Sequence, residues 1–270
     1  LIGTQYNLAD FTQVEEWIND NLETLIDINE NLGYLADHGT LSVSGRPPMG
    51  GQRPDGLSVF PTLISQNYSL KPVSLKTESI PESLQCLVIA RPTENFSDYA
   101  LYQIDQALMR GTNLAIFQDA FREVMPGQQQ MQMQQGPIYI PLNTGLRKLL
   151  SHYGIDMDTA IVLDKFSHKQ MLPKQMGGGQ QSIYYVPIIQ NRNINKELPF
   201  IRHLKGLIAI KMSPLSVDKD RITKNNVDAH QLFASSDESW LMKGRINLNP
   251  MYISPAGPDT ELKSFPLAYL

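Results

Sequence analysis

The stretch that most constrains this chain runs from Cys86 to Phe121: CLVIARPTENFSDYALYQIDQALMRGTNLAIFQDAF. Its first five residues form a continuous apolar run, the pattern of a strand buried on both faces. Pro92 to Ser97 reads as loop, with Ser97 as helix N-cap. Leu101, Ile104, Leu108 and the stem of Met109 recur at helical spacing and form one apolar stripe. Arg110 followed by Gly111 marks a helix C-terminus: a cation near the negative end, then a residue that tolerates left-handed dihedrals. Asn113 to Gln118 is a second buried strand. Strand, helix and strand with short connections make a βαβ unit, so the two strands should be parallel.

Around this unit the pattern predicts an ordered series of elements. Leu8 to Ile28 reads as an ordinary amphipathic N-terminal helix with an acidic, solvated face, the alternative being the end of a preceding domain. Asn31 to Ala36 is a short strand, Leu57 to Asn67 a helix broken near Pro61, and Tyr68 to Leu75 a strand. The strand at 68–75 should lie beside the first, with 86–91 on its other side. Gly45 to Gly56 (GRPPMGGQRPDG) and Gly127 to Gly136 (GQQQMQMQQG) cannot hold regular structure and read as loops, the second as a glutamine-rich flexible one. Beyond it, Ile138 to Leu142 is extended, Gly145 to Tyr153 a short helix, and Thr159 to Leu163 a buried strand that completes a second αβ step. Ser182 to Ile189, with Pro187 marking an edge or strand end, and Leu207 to Met212, Val227 to Ser235 and Phe265 to Leu270 are further strands. The expected fold class is α/β: a doubly wound, mostly parallel sheet, Rossmann-like or flavodoxin-like, with a smaller, more irregular C-terminal α/β extension. Its α/β core should span 31–126, and 137–270 should continue the domain.

Composition limits the function classes. The net charge is −4 and no basic stripe is visible, which argues against nucleic acid as a partner. A single cysteine excludes an internal disulfide framework and a multi-Cys metal site. No apolar stretch approaches the roughly 18–20 residues that span a bilayer, and no signal peptide is present. The chain starts at Leu1, so it is read as a processed or truncated piece of a longer protein.

No motif specifies a reaction. Cys86 begins its strand, whereas a nucleophile elbow places its residue just after one, so Cys86 reads as a buried structural thiol. The five histidines show no HExxH spacing, and Gly177-Gly178-Gly179 is a turn or hairpin tip rather than a phosphate loop. Met131 and Met133 lack a His or Cys partner for copper. No catalytic residue, metal or cofactor is expected. The candidate ligand-binding residues are Asp37 and His38 after the first strand, Arg91 at the end of the next, and Asp119 after the one that follows. If those strand ends share one rim of the sheet, these side chains could take a small anion or sugar, or simply cap helices and pair with each other.

Several segments resemble the GldG-type auxiliary component of bacterial ABC transporters. The family's signature block has an LVIA-P strand, a helix reading Y-IDQ-LMRGG and a strand reading LAV--D. Here the matches are Leu87 to Ala90 with Pro92, then Tyr102, Ile104-Asp105-Gln106, Leu108-Met109-Arg110-Gly111 and Leu114 to Asp119. Tyr34 to Gly39 (YLADHG) is similar to the family's FL-GHGE segment, and Leu149 to Asp164 to its LL--YGI-----VLD segment. Thr112 stands in place of the second glycine and Thr40 in place of the common Glu, which removes a carboxylate from that site. The resemblance spans roughly 31–245. It implies an extracytoplasmic, periplasmic domain of a membrane-anchored bacterial protein, working beside an ABC permease and ATPase in gliding motility or surface export. Related domains occur in intraflagellar-transport proteins, where they act in assembly.

The expectation is therefore a non-enzymatic interaction module that binds a transporter subunit or a surface polymer. Its rivals are a small-molecule or glycan-binding domain using the rim residues, and a hydrolase of amidotransferase-like fold.

Overall fold

The computed structural model describes residues 30–43, 56–125, 137–172 and 178–270. The expected helix at 8–28, nearly all of the Gly/Pro/Arg loop and the glutamine-rich loop lie outside those residues. The chain divides into two units, Leu1–Gln118 and Asp119–Leu270.

The described elements of the first unit are β1 (Glu30–Leu35), α1 (Phe60–Ile64), β2 (Tyr68–Val73), β3 (Cys86–Ala90), α2 (Asp98–Met109) and β4 (Asn113–Phe117). They build a four-stranded sheet in the order β2-β1-β3-β4, parallel at every pairing. The βαβ unit forms as its sequence predicts. Ser97 Oγ accepts the Ala100 amide at 3.1 Å, and Gly111 takes φ +99°, the left-handed region reached at little cost only without a Cβ. α2 buries Ala100, Gln103, Ile104 and Ala107, and Leu87 and Ile89 in β3 are wholly buried. On a second cluster Tyr34, Leu32, Val88 and Ala90 pack with the half-buried Phe60 and Ile64 of α1.

The second unit contains β5 (Phe121–Val124), β6 (Ile138–Pro141), α3 (Leu146–His152), β7 (Ile155–Met157), β8 (Ala160–Asp164), β9 (Ser167–Met171) and β10 (Gln180–Gln190). These are followed by β11 (Gly206–Ile208), β12 (Leu215–Val217), α4 (Lys219–Asn225), β13 (Gln231–Ala234), β14 (Ser239–Lys243) and β15 (Pro266–Tyr269). Every strand pairing described here is antiparallel: β5 with β6, β12 with β7, β14 with β8, β13 with β15, and β10 with both β9 and β11. Among its described residues lie two cores. One gathers Ile161, Leu163, Trp240 and Ile253, the other Val162, Ile189, Phe265 and Leu267.

This overturns the expected doubly wound, mostly parallel Rossmann-like or flavodoxin-like fold with its α/β extension. Among the described strands, parallel pairing is confined to one four-stranded sheet, and the rest are small antiparallel sheets with few helices. The reason lies in the connections. A parallel pair needs a crossover of about a dozen residues or more. The loop and helix between β3 and β4 supply one, but only Lys165 and Phe166 separate β8 from β9. β8 is buried at all five positions, yet its partner is β14, far along the chain. Pro187 is likewise no strand end. It sits inside β10, where the register with β9 shifts, and its carbonyl accepts the Ala209 amide at 2.9 Å. A proline survives there because the shift removes the demand for its missing N–H.

Candidate functional site

β1 and β3 are hydrogen-bonded neighbours, so the loops leaving their carboxyl ends meet. The Ala36 amide reaches the Val73 carbonyl of β2 at 2.8 Å, and the Leu41 amide reaches the Ala90 carbonyl of β3 at 3.1 Å. The His38 carbonyl accepts the amides of Thr93 and Glu94, each at 3.0 Å. Three of the four expected site residues, Asp37, His38 and Arg91, thus stand at the carboxyl ends of adjacent parallel strands. Asp119 opens the second unit.

The geometry within that rim is closely determined. His38 is buried, and its ring stacks on Phe96 with centroids 4.1 Å apart and planes 4° apart. Its Nδ1 lies 2.6 Å from Asp37 Oδ1, so this nitrogen carries the proton and donates it to the carboxylate. The second carboxylate oxygen accepts the Ser74 hydroxyl at 3.0 Å and the Lys76 amide at 2.9 Å. Burial works to raise the Asp37 carboxyl. The hydrogen bonds from His38, the Lys76 amide and Ser74 outweigh it and hold the carboxyl below its usual range. Lys76 pairs with Glu94 across the mouth at 2.6 Å, and both side chains are more than half exposed. One carboxylate therefore ties the loop after β1 to the loop after β2, while the His38 carbonyl and ring hold the loop after β3.

His38 and Arg91 both adopt positive φ, +57° and +51°. Such backbone is uncommon outside glycine and tends to be held where the surroundings over-determine it. The Arg91 amide donates to the Phe117 carbonyl of β4 at 2.7 Å, which fixes that turn. The hydroxyls nearest the rim are engaged: Thr40 Oγ1 donates to the Leu35 carbonyl at 2.6 Å, and Thr93 Oγ1 to the Gly39 carbonyl at 3.1 Å. Among the described residues, no group of three or more His, Cys, Asp or Glu side chains could hold a metal ion. Cys86 starts β3 as expected; burial pushes its thiol up, more than the Ala115 backbone lowers it.

Two polar clusters in the second unit carry no sequence motif. Asp164 is wholly buried and accepts the amides of Phe166 and Ser236, each at 2.8 Å, and the Ser236 hydroxyl at 2.7 Å. Ser236 follows a strand and has a carboxylate in reach, the arrangement a hydrolase would need. Its oxygen is nevertheless buried, and it also accepts the Glu238 amide at 3.1 Å. The second cluster centres on Lys211, which bonds Glu123 and lies 5.1 Å from the Tyr139 ring centroid. Burial works to lower Lys211, but its bonds to Glu123 and Tyr139 leave it raised. Glu123 and Lys211 are 88 residues apart, so no local pattern could have joined them. The VLD ending of β8 was the only signal near Asp164, and it pointed to a resemblance rather than a role.

No helix among the described residues is long and apolar enough to cross a membrane. The family model described as an ABC-type uncharacterized transport system matches residues 29–270. No curated protein matches the chain. Among the solved structures that do match is the "mmIFT52 N-terminal domain", with a TM-score of 0.50 and 13% identity over 77% of this chain and 74% of that one. At that identity the likeness bears on fold alone.

Proposed function

We propose a function from one premise: this chain belongs to the family of auxiliary components of ABC-type uncharacterized transport systems. It is a non-enzymatic, extracytoplasmic interaction module, held beside an ABC permease and ATPase by membrane anchors of its parent protein. Its system is of the gliding-motility or surface-export type. The match over 29–270 carries this reading, because it takes in both units rather than one motif. The rim chemistry supports it: the Asp37 carboxylate and the neighbouring hydroxyls are spent on holding loops together. Such a module would bind a partner subunit or surface polymer and pass its binding state to the permease. The test is affinity recovery of the full-length protein from gently solubilised membranes. Permease and ATPase should come with it; recovery without any transporter subunit would sink the reading.

A second reading has one observation in its favour, the convergence of Asp37, His38 and Arg91 at the carboxyl ends of β1 and β3. A small anion or sugar would bind there. Isothermal titration against anionic sugars, with Arg91→Ala as control, decides the matter: heat that disappears in the variant supports the reading, and absence of heat ends it.

A further inference from the structure

The second unit exposes an apolar patch with a cationic border. Ile208 lies directly opposite Ile188 in the antiparallel β10–β11 register, so both side chains leave the same face. The ladder continues past β11 through the Ala209 amide to Pro187 and the Lys211 amide to Tyr185, which puts Ile210 on that face too. The alternate residues, Leu207 and Ala209, turn inward onto the Ile189 core. Ile208 and Ile210 are about three-fifths exposed, at 60% and 61%. The turn before β11 adds Phe200 and Leu204, also exposed. It is held to the end of β10 by the Leu204 carbonyl, which accepts Asn191 Nδ2 at 2.9 Å and Lys196 Nζ at 3.1 Å. Exposed aliphatic and aromatic side chains gathered in one short segment mark a contact surface.

The border says what the contact is. Within 192–211 the exposed cations are Arg192, Lys196, Arg202 and Lys205, and Glu197 is the one carboxylate. The whole chain has a net charge of −4, so this is a local inversion of sign. β11, at three residues, is too short an edge to recruit a strand. We propose that this face docks on an anionic lipid bilayer, the isoleucines and Phe200 entering the headgroup region and the cations meeting lipid phosphates. The inference stands on the patch itself, independently of the transporter reading.

The test is co-sedimentation of the 270-residue chain with phosphatidylglycerol-containing vesicles and with pure phosphatidylcholine vesicles. The chain should pellet with the anionic vesicles and be released by raised salt. Replacing Arg202 and Lys205 by Ala should lower the partition about 25-fold, from about fivefold per basic residue at an anionic surface. Ile208→Ser with Ile210→Ser should weaken binding at every salt concentration. All four residues are exposed, and circular dichroism melts would show each variant folded. Equal recovery with both vesicle types overturns the proposal, as does recovery with neither. So does a self-association in vesicle-free buffer that the isoleucine pair abolishes, which would make the occupant a second copy. None of these results bears on whether the parent protein travels with a transporter.

Discussion

Replacing Asp37 tests whether the rim is a structural clasp. Its carboxylate takes three hydrogen bonds, at 2.6, 3.0 and 2.9 Å. A net contribution of roughly 1.5–3 kcal/mol applies to each bond to a charged group, but the three share one acceptor and do not add. Ser74 and the Lys76 amide can turn to water when the carboxylate is lost. His38 cannot, because its ring is 4% exposed beneath Phe96, and orphaning a buried donor costs about 1–3 kcal/mol. Asp37→Ala should therefore cost about 3 kcal/mol. Asp37→Asn keeps an oxygen acceptor and should cost about 1–2 kcal/mol, while Ser74→Ala should cost about 1 kcal/mol. The two-unit chain does not license a single unfolding free energy, so the assay is native-state amide exchange of β1, β2 and β3. The pH dependence has a definite sign. A carboxyl lowered on folding contributes stability that is fully present above its unfolded value, about 3.9, and lost as pH falls through the folded one. The local stability gap between the natural chain and Asp37→Ala should therefore narrow below about pH 4. A cost under about 1 kcal/mol for Asp37→Ala, or a gap that ignores pH, would refute the clasp and return the residue to the ligand-binding reading.

Three further outcomes follow from the geometry. Gly39→Ala puts a Cβ 2.1 Å from Thr93 Oγ1 at φ +66°, and should cost about 1–3 kcal/mol by exchange in the same loops; Gly39→Ala with Thr93→Ser should not restore it, because the hydroxyl remains. Asp164→Ala strands the buried Ser236 amide and hydroxyl and a part-buried Phe166 amide, and should destabilise the second unit by about 3 kcal/mol in native-state amide exchange of β8 and β14; Asp164→Asn should cost less. Cys86, its thiol pushed up by burial, should react with iodoacetamide more slowly in the folded chain than in urea, and equal rates would contradict its packing in β3.

The first unit was legible because its signals are local. An apolar run, a serine N-cap, a 3.6-residue stripe and an Arg-Gly stop lie within one stretch of sequence, and β1 to β4 form with the predicted neighbours. The second unit was not, because an apolar run such as AIVLD looks the same in a parallel or an antiparallel sheet. Its partner, Ser239–Lys243, is set by tertiary packing that no window of sequence contains. The same holds for the site. Asp37, His38 and Arg91 were identified by their places after strands, and their strand ends are indeed neighbours. That the carboxylate is engaged by Ser74 and Lys76, and the imidazole by Phe96, required the fold. Lys211 had no signal, and Asp164 only the VLD ending of its strand, since the partners Glu123 and Ser236 are 88 and 72 residues away.

The central claim is that this chain works by contact within an ABC transport system. It is tested most directly by photo-crosslinking in living cells. A photoreactive residue is placed in the full-length protein at Tyr102 or Met109, both exposed on α2, and at Phe200 in the second unit. The account predicts a crosslink from at least one of these positions to a permease or ATPase subunit, lost when that subunit is deleted. Folded, membrane-associated protein that crosslinks to no transporter subunit from any of them would contradict it.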